Sequence, residues 1–193
     1  CMWITEETSE AIGDKLKEAY EELPSAFNGV PKMTSGRGAL RRGVMTISDF
    51  YRKFTGTDDV KAIDYALVPD YALSAAVNGE VFEDKEGVFT SISEEIKKGY
   101  PDRIRLLKIV EEAARFSQSL QYNYSRMLDR GDALTASVMA SDGIRAALRL
   151  WHMIYNVYPP HDKWLKKSVQ SMGNGDEFIA LLEDINKAAG RVS

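Results

Sequence analysis

A chain of 193 residues with 44% hydrophobic residues is long enough to bury a core as one domain, or as a domain with a smaller appendage, so that neither disorder nor a small stapled fold is needed. Its net charge of −4 argues against broad nucleic-acid binding, which needs a basic excess, while leaving room for a local basic pocket. The single cysteine, Cys1, excludes an internal disulfide and a cysteine-based metal site and points to the reducing cytoplasm; no apolar run approaches the roughly 18 residues of a membrane span, so no membrane partner is expected.

Residues 1–5 read as a strand. Translation starts at Met, so Cys1 ahead of Met2 points to a piece of something longer. Thr5 or Thr8 caps a helix running to about Glu22, with Ile12, Leu16, Ala19, Tyr20 and Leu23 as its apolar stripe. Pro24 ends it. A loop rich in Gly, Pro and Ser covers 28–38, and Arg37, Arg41 and Arg42 lead into a strand over 43–47. Ser48 caps a helical turn over 49–54, closed by Gly56.

The rest reads as helix: 70–78, then 91 or 93 to 98, then a long run from 102 to 130 stopped by Gly131. The next helix spans about 132–157, on the order of 37 Å. Two shorter ones follow, over 162–172 and 176–189. Short loops between long helices imply an antiparallel bundle. The expected fold is therefore mostly α (α+β): a small two-stranded α/β segment over 1–56 and a helical bundle over 57–193.

Two polar stripes stand out. Winding the first at about 100° per residue puts Arg115, Gln118, Gln121, Tyr122, Ser125, Arg126 and Asp129 on one side. Phe116, Leu120, Tyr124 and Met127 lie opposite. Amides, phenols and guanidinium groups suit a partly buried partner better than bulk water. The second stripe, on the helix from 133, is Thr135, Val138, Asp142, Arg145, Arg149, His152 and Asn156, within about 100° of arc. That helix is otherwise apolar, so its polar stripe must face a network or a cleft. Two readings stay open. Either the stripes face each other, with Asp129 or Asp142 pairing Arg145 or Arg126, or Arg126, Arg130, Arg145 and Arg149 hold an anionic ligand. His152 reads as a satisfied core histidine and His161 as exposed. A third cluster, 158–164, is a proline corner able to close a site wall; as a plain helix connection it would put Trp164 in the core and Lys163 in solvent.

Gln121-Tyr122-Asn123-Tyr124, Arg126, Arg130-Gly131, Arg145-Ala146-Ala147-Leu148, and Tyr158 with Pro160, Lys163 and Trp164 together resemble the helical domain of unknown function found C-terminal to predicted polymerase-beta-like nucleotidyltransferases. Trp3-Ile4-Thr5, Ile12-Gly13-Asp14-Lys15-Leu16, Ala19-Tyr20, Leu23-Pro24 and Asn78-Gly79-Glu80-Val81-Phe82 carry the same likeness, so it covers nearly the whole chain. The resemblance implies an upstream nucleotidyltransferase domain whose Gly-Ser turn and Asp-x-Asp pair would hold Mg²⁺ and a nucleoside triphosphate in the intact protein. Those motifs are not in these residues, so this chain alone is expected to be inactive and no catalytic residue or metal ligand is assigned in it. Asp49, just past the second strand, stands where a third carboxylate would fall and equally where a helix starts. The implied substrate-binding set is Gln121, Tyr122, Asn123, Arg126, Arg130, Arg145, Arg149, Lys163 and Trp164, lining the acceptor side of nucleoside monophosphate transfer. The rival reading is a non-catalytic module binding a nucleotide, another small molecule or a protein partner. An RNA-binding bundle stacking bases on Tyr122 and Trp164 ranks last, given the acidic charge. Open strand edges also allow a homodimer.

Overall fold

In the computed structural model, which describes residues 1–24, 26–31 and 43–189, strand β1 (Met2–Ile4) leads into helix α1 (Glu6–Glu22). Thr5 caps it, its Oγ1 accepting the Thr8 N–H at 3.2 Å and pairing one of the donors a helix start leaves open. The apolar stripe of α1 is not core, however: Ile12 and Leu23 are exposed, and only Gly13 is buried.

A short hairpin, β2 (Ala26–Phe27) with β3 (Val30–Pro31), begins before and runs into the stretch expected as loop. Its turn is Asn28-Gly29, both at positive φ (48° and 78°), the pair of residues that tolerates left-handed backbone in a tight turn. The remainder of that loop, with Arg37, Arg41 and Arg42, lies outside the described residues. Strand β4 (Val44–Thr46) then runs parallel to β1, with Met2 opposite Val44 and Ile4 opposite Thr46. A parallel pair needs a crossover, and α1 lies in it. Thr46, not Ser48, caps α2 (Ile47–Thr55), its Oγ1 accepting the Asp49 N–H at 3.0 Å. Gly56 closes α2 at φ 82°.

Helix α3 (Asp70–Val77) falls where expected. Helix α4 (Val88–Lys97) starts before Ser91 and Ser93, because Asp84 reaches in from the loop and accepts the Thr90 N–H at 2.7 Å. The long run is not one α-helix. It is α5 (Asp102–Phe116), a π-helical segment (Ser117–Asn123) and α6 (Tyr124–Asp129). Gly131 (φ 73°) turns the chain, and the Asp132 carboxylate caps α7 (Ala133–Ile154). That helix ends short of Val157, since Asn156 takes a left-handed φ of 54°. A 3₁₀ turn, Asp162–Trp164, precedes α8 (Leu165–Ser171), and α9 (Asp176–Ala189) closes the described chain.

Helix α7 is the axis of the bundle, packing on α5, the π segment, α6, α8 and α9. Five of its buried residues, Ala136, Ala140, Gly143, Ala146 and Ala147, are small on that account, because small side chains let backbones approach. A Cβ on Gly143 would lie 2.6 Å from Leu120 Cβ of the π segment. The second part of the core joins the sheet segment to the helices: Phe50 and Tyr51 pack with Leu73, Ile96, Tyr100 and Tyr158, and Trp3 stacks on Phe89 at 4.9 Å.

Candidate functional site

The polar stripe of α7 resolves into three kinds of contact. Asn156 clamps the turn before α5: its Oδ1 accepts the Tyr100 N–H at 3.0 Å and its Nδ2 donates to the Lys98 carbonyl at 3.0 Å. His152 is fully buried, with Nδ1 at 2.7 Å from the Leu148 carbonyl and Nε2 at 2.9 Å from Ser168 Oγ. Burial, with the Arg149 charge nearby, pushes its pKa down despite the Leu148 carbonyl, so it is a neutral, satisfied core histidine.

Arg149 is the centre of a charge network. It donates from Nη2 to Asp70 and from Nε to Glu112 Oε1. Asp70 Oδ1 also accepts from Lys108 Nζ at 2.7 Å and from the Tyr100 hydroxyl at 2.6 Å. Both carboxylates are buried, at 7% and 3% exposure, so each needs cations at hand. Burial pushes the Asp70 carboxyl up, but Lys108, Tyr100 and Arg149 outweigh it and hold the group below the usual carboxylate range. The Tyr100 phenol, buried against that carboxylate, is pushed well up and stays protonated. The network ties α3, α5 and α7 together.

Arg145 is half-exposed, 3.4 Å from Asp142 and 3.4 Å from Asp162. Asp142 in turn accepts from Ser119 Oγ of the π segment at 2.9 Å. The expected Asp142–Arg145 pair is therefore present, within the second stripe, and Asp142 meets the other segment through Ser119, which lies outside the predicted stripe. Gln121, Tyr122, Arg126 and Arg130 are exposed, and Asn123 is half-buried. Arg126 donates to the Tyr122 hydroxyl and lies 4.7 Å over its ring; Ser117 donates to Gln121 Oε1 at 3.1 Å. These residues form an outer surface of the bundle, and the pairings of Arg126 and Asp129 with the other stripe are not formed among the described residues.

The proline corner behaves differently from a plain connection. Tyr158 is buried, donating to the Ile96 carbonyl at 2.8 Å, yet Trp164 is 50% exposed instead of in the core. The Lys163 and Lys167 ammonium groups each lie 5.8 Å from its ring. Trp164 lines a cleft of about 350 Å³. Trp3 and Met45 from the β1/β4 pair line it too, as do Phe50, Lys53 and Phe54 of α2 and Tyr71 of α3. Tyr71 stacks on His161 at 4.2 Å and 20°. Among the described residues no Asp or Glu lines the cleft, and the buried Trp3 Nε1 has no hydrogen-bond partner. A larger hollow of about 710 Å³ between the 3₁₀ turn Val60–Ala62 and α4 holds none of the predicted residues, and its charges pair locally, Lys98 with Glu95 and Asp58 with Arg52.

Residues 65–165 match the family model described as Domain of unknown function (DUF4037), more than half of the chain. The chain belongs to this family. The DUF4037 segment contains the whole Asp70, Tyr100, Lys108, Glu112 and Arg149 network and the corner through Trp164, whereas Trp3, Lys53 and Phe54 reach the cleft from outside it. Searches of curated proteins and of solved structures each found no match. Among the described residues no group of His, Cys, Asp and Glu is placed to hold a metal ion, and no helix is long and apolar enough to cross a membrane. Asp49 is exposed in the first turn of α2. Sequence reading missed Asp70, Lys108 and Glu112, and the cleft residues Trp3, Lys53 and Tyr71. The available signal was a surplus of arginines on an apolar helix, which requires carboxylates from elsewhere in the chain.

Proposed function

We propose that this DUF4037 chain forms the acceptor-side wall of a nucleotidyltransferase, in which a nucleoside monophosphate passes from a nucleoside triphosphate to a hydroxyl of an acceptor held in the cleft. One observation carries the reading: the cleft is lined both by the parallel β1/β4 pair and by the DUF4037 corner at Trp164, so a ligand there touches sheet and bundle together. Parallel strands occur almost only within larger sheets covered on both faces, and exposed Ile12 and Leu23 on α1 are consistent with such a sheet. The sequence likeness to domains that follow nucleotidyltransferases points the same way.

The described carboxylates do not fit the Mg²⁺ of that chemistry. Asp70 and Glu112 are taken up by Arg149 and Lys108, and among the described residues no group of His, Cys, Asp and Glu is placed to hold a metal ion. The ion and the triphosphate are therefore assigned to an upstream catalytic domain, and this chain contributes binding and orientation. The Arg149 network fixes α3 against α5 and α7, which holds Tyr71, next to Asp70, and the corner after α7 in register.

The test is pyrophosphate release by the full encoded protein with Mg²⁺, each ribonucleoside triphosphate and a panel of hydroxyl-bearing acceptors. Acceptor-dependent release by the full protein, with none from the 193-residue chain, is expected. Absence of release with every combination would overturn the reading and leave a binding module.

A further inference from the structure

We infer that the cleft selects a flat aromatic molecule carrying an anionic group, an inference that rests on reading this cleft as the acceptor side and names the class of acceptor. A volume of about 350 Å³ is at the low end of the roughly 300–1,000 Å³ of small-molecule pockets. It matches a small molecule of up to about nucleotide size.

The walls set the shape. Tyr71 and Trp164 are 45% and 50% exposed, which leaves two large aromatic surfaces open at the same cleft. The Tyr71 and His161 rings stack on each other at 4.2 Å, within 20° of parallel, so each covers one face of the other and the pair holds the Tyr71 ring in one orientation at the cleft. Stacking a ligand ring on such faces removes apolar area from water and adds a quadrupole term that an aliphatic ligand does not gain.

Charge sets the sign. Lys53 of α2 stands at the cleft, and Lys163 and Lys167 flank Trp164. No carboxylate lines the cleft among the described residues, in a chain whose net charge is −4. Of the acids adjacent to lining residues in sequence, Asp162 lies 3.4 Å from Arg145 and Asp70 is paired with Lys108 and Arg149. A local cationic rim on an acidic protein attracts anions and repels amines. Besides Lys53 and His161, the directed polar side-chain groups of the lining are those of Ser74, Asn78, the Tyr71 hydroxyl and the Trp3 and Trp164 indole N–H groups, most of them on aromatic rings rather than arrayed for a polyhydroxylated sugar, and a cationic ligand meets Lys53 in the lining with Lys163 and Lys167 beyond Trp164.

Two sources share this chemistry, a nucleoside monophosphate and an aromatic hydroxy acid. Calorimetric titration of the full chain with adenosine 5′-monophosphate and with 4-hydroxyphenylacetate separates them, with ribose 5-phosphate as the anion lacking an aromatic ring. One or both flat anions are expected to bind, weakening as salt rises, and ribose 5-phosphate is not. Trp164→Ala should weaken binding by about tenfold, in keeping with the 1–3 kcal/mol of a stacked ring. Lys53→Ala should weaken it and reduce its salt dependence, while Arg126→Ala on the outer surface leaves it unchanged. Circular dichroism of each variant confirms folding. Failure of both flat anions to bind, or binding that neither cleft variant alters, overturns the inference. Binding of a flat anion by a full protein that releases no pyrophosphate would retire the transferase reading and keep the ligand class; acceptor-dependent release without any such binding would do the opposite.

Discussion

Arg149 on α7 donates to Asp70 in the first turn of α3, 79 positions away in the chain. The same guanidinium donates to Glu112 on α5, so one side chain joins three helices through two buried carboxylates. A charge in that setting is held by its partners, and removing it exposes their full desolvation cost. One of the four arginines read as able to hold an anionic ligand is thus already neutralised from inside the protein.

Arg149→Ala should cost about 3–5 kcal/mol of stability, the usual penalty for orphaning a buried ionic partner. Arg126→Ala, at an exposed position beside Tyr122, should stay within about 0.5 kcal/mol. Urea denaturation of both variants checks the contrast. Equal losses would mean that burial is not what distinguishes the two arginines.

Gly143 is where α7 comes closest to the π segment. A methyl there meets Leu120 Cβ at 2.6 Å and Leu120 N at 3.2 Å, and backbone cannot step aside cheaply. Gly143→Ala should therefore lower stability by about 1–3 kcal/mol, even though Ala is normally favoured over Gly in a helix by about 1 kcal/mol. The melting temperature reads the sign directly, and a rise would show that the two segments are more loosely packed.

Asn156 combines left-handed backbone with two long-range hydrogen bonds, to Tyr100 N–H and the Lys98 carbonyl. Asn156→Ala loses both and keeps the unfavourable φ, so a cost of about 2 kcal/mol or more is expected. Asn156→Gly tolerates the φ and loses only the hydrogen bonds, so it should be the milder variant. Comparing their thermal midpoints separates the backbone term from the side-chain term.

Stability should fall on mild acidification. Burial lowers the pKa of His152 in the folded chain, so as the pH drops below its ordinary value of about 6.5 the unfolded chain takes up a proton first. The contribution is complete above about pH 6.5 and is lost progressively below it. Asp70, whose folded pKa is also lowered once Lys108, Tyr100 and Arg149 outweigh burial, adds a second loss below about pH 3.9. Melting temperatures from pH 8 to 5 should decline below 6.5, and in His152→Gln that slope should shrink. An unchanged slope would assign the decline to other groups.

Much of the fold was legible because helix signals are local. Thr5, Gly56 and Gly131 punctuate the chain where their backbone chemistry predicts, and the small and apolar residues of α7 marked the helix at the centre of the bundle, although Leu134, Val138 and Ile154 on it are exposed. The π segment was not legible, since its residues keep a helical period while the hydrogen-bond pattern changes register. Ser91 and Ser93 misled because Asp84, several residues upstream, supplies the cap. For the site, the stripe on α7 was visible but its partners were not. Periodicity tells which residues share a face, whereas the choice of Asp70 by Arg149 depends on how α3 returns to the bundle. Trp164 was expected in the core under the plain reading of the corner, and its exposure follows from two lysines and a cleft that no local pattern announces.

The most direct measurement is the initial rate of pyrophosphate release by the full encoded protein, wild type beside Trp164→Ala, as acceptor and nucleoside triphosphate are varied in turn. The account predicts acceptor-dependent release, with the acceptor KM raised about tenfold by the substitution and the triphosphate KM unchanged. No release from the wild type, or a substitution that moves the triphosphate KM and leaves the acceptor KM alone, would contradict it.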